Sequence, residues 1–481
     1  MVDFEDYLRL AIDLATKNGA SYAEARAQRD YSESILLKNG VPEVASVDTR
    51  RGLSIRVIVN GSLCFGATNE LNKKAIKNLV TEVVLSARSA SKLRQKRIQF
   101  GDANVGTEKF EVRPRIGFDS VSIDSRIELL RDADREALEG ANKIGVTLAG
   151  RYLSVETLST EKAILTSDGA TIYSRIPRVS VDCMITAFHP EKGFLQRMIS
   201  LGESAGWEAA ERWDLPQRLM REAVSLGRSL LEASSFRGDR CDVVLGPEVV
   251  GIVSHESAGH PAEADRILGR EAAQAGETYL SRQSLGTNIG SEVVNVVDDP
   301  TLPHSFGYYL YDDEGVKARR RYLIKNGRIN EFLHNRETAF EFETESNGSS
   351  RSVSYDREPI IRMSNTFVEP GDYSFEELIE AIDNGIYIKN FMEWNIDDRR
   401  YNQKYVGLEA YKIEKGKLTK RIKNPVLEVT TPGLWSAVDA VGSDLEFSAA
   451  TCGKGDPMQG IPVWTGGPHI RLRGIYVGGL A

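Results

Sequence analysis

Histidine is scarce in this 481-residue chain, with six against 61 basic and 69 acidic residues. Two of them close together therefore carry information. Cysteine is scarcer still: four residues, widely spaced and without a Cys-x-x-Cys, which argues against a disulfide framework. No apolar run approaches the roughly 18 residues that a membrane-spanning helix needs. Excess positive charge is also missing. The net charge of −8 aids solubility and argues against nucleic acid as the main partner. The first residues, Met-Val-Asp-Phe-Glu-Asp-Tyr-Leu, lack the basic, apolar character of a signal peptide. Together these absences predict a cytoplasmic protein without membrane segments. What remains is 41% hydrophobic and 27% charged, the balance of a soluble globular protein, and long enough for two or three domains.

The informative stretch is Val250-Gly-Ile-Val-Ser-His-Glu-Ser-Ala-Gly-His-Pro261. His255 and His260 offer two neutral nitrogen donors and Glu256 a carboxylate base, which are parts of a hydrolytic zinc site. At i and i+5 the histidines stand about 140° apart on an ideal α-helix, which would splay them. Gly259 suits a left-handed cap, and Pro261 disfavours a helical His260. The spacing thus predicts a helix that stops near Ala258, with His260 swung back by the following turn; a π-bulge is the alternative.

Read in order, the first half repeats a pattern of helix plus antiparallel strands. Helices are expected over 4–18, 70–93, 124–142 and 215–233. Strands are expected over 22–39, 45–49, 146–157, 161–167, 170–187 and 194–201. Asn60-Gly61 and Asp168-Gly169 mark hairpin turns, and a polar connector runs from Arg94 to Pro114. Cys64 reads as a small buried residue. The second half reads as short strands broken by Asn326-Gly327 and Lys415-Gly416, with three helices at 247–258, 334–342 and 374–384. The expected fold class is α+β. An N-terminal α/β domain spans 1–233 (parts 1–100 and 114–233), and a C-terminal antiparallel, barrel-like β domain at 239–481 carries the metal site.

A catalytic zinc site needs a third protein ligand. Cys452, in the polar, glycine-rich Thr451-Cys-Gly-Lys-Gly-Asp-Pro457, competes with His304, His334, His469, Glu263, Asp265 and other acids. Asp298-Asp299 and Asp312-Asp313-Glu314 lack calcium-loop spacing and read as solvated turns.

With these residues in hand, the sequence resembles the TldD/PmbA family of metallopeptidases. The resemblance rests on Gly19-Ala-Ser-Tyr-Ala-Glu24, Gly52-Leu-Ser-Ile-Arg56 and Phe65-Gly-Ala-Thr-Asn-Glu-Leu71 in the first half. In the second it rests on His255-Glu-Ser-Ala-Gly-His260, Glu263-Ala-Asp265, Asp312-Asp-Glu-Gly315, Arg362-Met-Ser-Asn365, Asn384-Gly-Ile-Tyr387, Val441-Gly-Ser-Asp-Leu445 and Cys452-Gly-Lys454. It implies one zinc ion per chain held by His255, His260 and Cys452, with Glu256 as general base acting on short or unfolded peptides. It also implies a dimer, with an identical chain or with a motif-less PmbA/TldE-type sibling. Two positions depart from the family's pattern: Pro261, and Asn390–Asn395, which lacks a glycine run. The competing reading is a non-catalytic assembly partner in such a complex.

Overall fold

The structure is a computed structural model and describes residues 4–93, 96–271 and 276–479. Arg94, where the expected connector begins, and the first three residues of the acidic start lie outside the described residues. The fold is mixed α and β, with one large sheet in the first half and curled, half-barrel sheets in the second. Among the described residues no helix is long and apolar enough to cross a membrane.

The first half builds a seven-stranded sheet around four very long strands, Tyr22–Lys38, Val41–Val59, Thr147–Thr166 and Thr171–His189. Segments expected as separate strands merge. Asn39 and Gly40, at φ 51° and 79°, make the same tight turn as Asn60 and Gly61, at 52° and 77°. Two hairpins therefore follow in series. The Thr107–Glu111 strand, inside the expected connector, joins the sheet edge in parallel with Thr171–Arg175. Its residues are almost all exposed, so no apolar alternation marks it.

Alternation gives the sheet two buried faces. Ala23, Ala25, Ala27, Val155, Val179 and Val181 pack toward the helices Glu5–Lys17, Lys73–Ala90, Ile123–Lys143 and Leu215–Glu232. The intervening Glu24, Arg26, Gln28 and Arg178 are also buried. They face the second half, where Arg56 meets Glu314 at 2.7 Å and Asp313 takes Lys162 at 2.9 Å and Arg26 at 3.3 Å. The Asp312–Glu314 turn is therefore buried and paired, not solvated. Asp298 is likewise buried, bonded to Arg321 and to the Ser364 amide. A carboxylate this deep survives because cations and amides from distant strands meet it.

In the second half a six-stranded and a nine-stranded sheet enclose the largest core cluster. They are mostly antiparallel, but Asp242–Leu245 runs parallel to Gly385–Ile388, and Asn365–Phe367 runs parallel to Trp464–Gly466. Asn326-Gly327 and Lys415-Gly416 turn the chain with positive φ at all four residues. The expected helices shorten to Pro247–Ser254, Arg336–Glu341 and Phe375–Glu380, the last with the capping box of Ser374 and Glu377. Additional helical turns form at Ala264–Ile267 and Thr431–Ala437. Cys64 is half-buried rather than buried, and none of the four cysteines forms a disulfide.

Candidate metal centre

Gly246 and Pro247 open the Pro247–Ser254 helix, with proline where no intrahelical N–H bond is lost. Glu248 in its first turn is held bidentately by Arg197 of the first sheet, at 2.7 and 2.6 Å. Gly251 lets the helix lie against the Gln459–Gly467 strand, since a Cβ there would stand 2.9 Å from the Gly466 nitrogen.

The helix then widens. His255–Gly259 is a π turn, followed by a 3₁₀ turn at His260–Ala262. The expected left-handed cap is absent: Gly259 has φ −64° and His260 φ −58°, both right-handed. A π turn bonds i to i+5, so it brings His260 back over His255 without a helix stop. The two rings stand 4.9 Å apart at 81°. Gly259 is needed for space rather than for φ, because a Cβ would fall 1.9 Å from Met363 Sδ.

Cys452 lies on the Glu446–Lys454 strand opposite Ile461, not in a glycine-rich loop. Its carbonyl accepts from Arg362, and its Sγ is 3.4 Å from His260 Nε2. The donor atoms of His255, His260 and Cys452 all lie within 4.8 Å of one another, and all three residues are buried. Among the described residues this is the one such group. Burial alone would raise the Cys452 thiol pKa, but His260, His255 and Arg362 outweigh it and hold the thiol well below its ordinary range. Burial lowers the His260 pKa, yet Cys452 and Glu263 raise it overall.

The donor set fits zinc. Two imidazoles and a thiolate suit its borderline-soft character, and a separation near 3.5 Å is what a tetrahedral ion imposes on its ligands. His255 Nδ1 is buried with no hydrogen-bond partner among the described residues. Three such donors would leave a fourth position open, the pattern of catalytic rather than structural sites.

Glu263, weighed in the sequence as a rival ligand, contacts the His260 ring instead. Its Oε2 meets His260 Nδ1 at 2.9 Å and Arg266 Nε at 2.6 Å, with Lys454 Nζ 3.3 Å away. A carboxylate on one ring nitrogen fixes the tautomer that leaves the other free for metal. Lys454 also pairs with Asp265. Glu256 is buried and outside the three-donor group, its carboxylate bonded to Arg400. Arg400 gave no signal in the sequence. It sits at φ 62° in a turn that Asp397 ties down through the Tyr401 and Asn402 amides. The remaining histidines are elsewhere: burial pushes His334 down to about 4 beside Thr338, and the His469 ring meets Asp444 and Tyr387.

Family models described as PmbA/TldA metallopeptidase match residues 23–87 (domain 1), 116–231 (central domain) and 238–479 (C-terminal domain). A "Metalloprotease" of Methanothermobacter thermautotrophicus is 34% identical over 98% of this chain and 99% of its own length. A "Zinc metalloprotease TldD homolog" of Saccharolobus solfataricus is 26% identical over 97% and 99%. The crystal structure of TldE from Thermococcus kodakarensis superposes with a TM-score of 0.76 at 17% identity, covering 98% of this chain and 100% of that one, and so shares the fold. By these matches along its length, the chain belongs to the PmbA/TldD family of metallopeptidases.

Proposed function

We propose that this chain is a zinc-dependent peptidase of the TldD type, hydrolysing peptide bonds in short or unfolded peptides. The convergence of His255, His260 and Cys452 carries the reading. A thiol–imidazole nucleophile would need one histidine, and the second is surplus unless a cation sits among the three. Bound there, one zinc ion would supply Lewis acidity and acidify water. Glu256 is the general base: it accepts the proton of the attacking water and returns it to the leaving amine. Arg400 holds the Glu256 carboxylate in one orientation, and Glu263 holds the His260 ring.

We further infer that the chain works in a TldD/TldE-type complex, because TldE of Thermococcus kodakarensis has the same fold and could supply a pseudo-symmetric mate. Residues 1–233 and 239–481 would act as the two domains between which a peptide lies.

The test is metal analysis of the purified chain, alone and with a TldE-type mate, coupled to hydrolysis of an unfolded polypeptide with and without chelator. About one zinc per chain and chelator-sensitive cleavage are expected. Glu256→Ala should keep its zinc and lose roughly 10²- to 10⁴-fold in rate. Cleavage by zinc-free protein, or a Glu256→Ala protein at the original rate, overturns the reading.

A further inference from the structure

The hairpin that carries Cys452 has a second face. Thr451, next to Cys452, and its cross-strand partner Pro462 turn away from the histidines, as alternation requires. They border a cavity of about 380 Å³. The opposite wall is the even-numbered face of the first sheet, including Leu158, Lys162, Ile176 and Arg178.

Two arginines are built into this cavity. Arg178 and Arg351 are each 8% exposed. Arg178 donates from Nε to the Phe306 carbonyl at 3.0 Å and from Nη2 to the Tyr308 carbonyl at 3.1 Å. Arg351 donates from Nη1 to the Met363 carbonyl at 2.7 Å and from Nη2 to the Pro462 carbonyl at 3.2 Å. These acceptors are neutral, and among the described residues neither arginine has a carboxylate within ion-pair distance. Arg178 Nη1 and Arg351 Nε have no acceptor there. Burial and the proximity of Arg351 push the Arg178 guanidinium down to about 9.

The acids nearby do not cancel this charge. Asp313 is shared by Lys162 and Arg26. Burial raises the carboxyl of Asp30. Asp48 pairs with Arg50 at the mouth, where Glu156 is exposed. On the inner wall Lys162, Arg178 and Arg351 stand with Asp30, Asp312 and Asp313. Asp312 accepts from the Glu314, Val316 and Ser350 amides, and burial beside Glu314 raises its carboxyl well above the usual range. Burying a cation without its counter-ion is costly, and a ligand that brings the counter-ion removes the cost. The wall also carries the rings of Phe110, Phe306, Tyr309 and Tyr311 among serines and threonines.

We propose that this cavity binds a carboxylate carrying an apolar group, its oxygens on Arg178 and Arg351 and its apolar part against Phe110 and Phe306. The charged N–H groups left on Arg178 and Arg351 suit a carboxylate, and the aromatic rings suit an apolar body more than a fully hydrated phosphate. Two sources share this chemistry: the C-terminal end of a peptide and a free carboxylic acid. The site lies across the hairpin from the metal ligands, so it does not depend on the peptidase reading.

Calorimetric titration of the full chain tests it, using Glu256→Ala protein in chelator so that no turnover intervenes. The probes are N-acetyl-phenylalanine, its amide, 3-phenylpropionate and inorganic phosphate. At least one acid is expected to bind once per chain, with the amide at least tenfold weaker. N-acetyl-phenylalanine alone would assign a peptide terminus, and 3-phenylpropionate bound as well or better would assign a free acid; both support the site. Arg178→Met should weaken binding at least tenfold. Leu158→Trp should do the same while leaving both arginines in place, because Leu158 lies opposite Arg178 in the strand register and fills the lumen when enlarged. Acid and amide binding equally, phosphate binding tighter than either acid, undiminished binding to Leu158→Trp, or no binding of either acid at about 10 mM each overturns the proposal.

Discussion

At Asp313 and Glu314 each buried carboxylate meets a guanidinium or an ammonium, whereas at His255, His260 and Cys452 the converging atoms are all electron-pair donors. Both places are buried, and both lie in motifs that stand out in the sequence. The ion-paired seam is complete within the protein. Its partners come from opposite halves: Arg26, Arg56 and Lys162 from the first sheet, Asp313 and Glu314 from the second half. The donor cluster instead gathers a buried thiol and two imidazoles, a set that suits a shared cation. Burial of charge-bearing groups alone therefore does not identify a metal site. The balance of donors against cations is what singles out a candidate.

The sharpest way to break this contrast is to alter a donor. Cys452→Ser replaces a thiolate with a neutral hydroxyl, and zinc affinity should fall by roughly four decades, about 5.5 kcal/mol. A cobalt-substituted protein should lose its thiolate charge-transfer band, while Cys183→Ala and Cys241→Ala keep it. Full zinc content in Cys452→Ser would remove the cysteine from the site. The matching change in the seam is Arg56→Met, which strands buried Glu24 and Glu314. Urea unfolding should report a loss of about 3–5 kcal/mol, with normal zinc content in the folded fraction. If zinc falls in step with stability, the two regions are not independent.

A smaller effect separates them by pH. Glu409 is a buried, ion-paired carboxylate like those of the seam: Arg421 approaches it at 3.3 Å and also reaches Ser229 on the Leu215–Glu232 helix at 2.9 Å. Burial would raise the Glu409 carboxyl, but hydrogen bonds from Tyr411 and Lys389 and the Lys389 charge bring it down to about 2. A carboxylate depressed in the folded state adds stability above its unfolded value near 4.5, and that contribution drains away as pH falls toward 2. It amounts to about 3 kcal/mol. Unfolding free energy of Glu409→Gln should be lower at neutral pH and flatter between those limits; an unchanged slope would show that Glu409 is not depressed.

The sequence exposes the donor cluster more readily than the seam, for a physical reason. Histidine and cysteine are rare here, so His255, Glu256 and His260 are legible at once, and Cys452 stands out as a cysteine in polar surroundings. Its strand does not, because Gly453, Gly455 and Gly460 read as loop when the hairpin partner is unknown. The π turn is legible only as an option, since its hydrogen bonding depends on what packs against Gly259. The seam is misread for the opposite reason. Glu24, Arg26, Gln28 and Arg56 alternate with small or aliphatic residues, a pattern that ordinarily marks a solvent face. Only the arrival of Asp313 and Glu314, more than 250 residues away, makes that face an interior. Arg400 is silent for the same reason, as its partner Glu256 lies 144 residues back.

Glu263 is where the two regions meet, and it yields the finest test. It is an ion-paired carboxylate like those of the seam, held far below its usual range: burial would raise it, but Lys454, His260 and Arg266 prevail. It is also the group that orients the His260 ring, through Nδ1. Glu263→Gln keeps the shape and removes the charge, so His260 loses its acceptor of choice while the fold keeps its packing. If Glu263 acts on the metal through His260, zinc affinity should drop about 10- to 100-fold, since supporting carboxylates contribute that much. If it acts only as a seam member, thermal stability should fall and zinc affinity stay within twofold. Lys454 retains Asp265 at 2.7 Å in either case, which limits the cost of the lost charge and keeps the two outcomes apart. Competition titration against a zinc chelator, run beside urea unfolding of the metal-free protein, measures both terms on one sample.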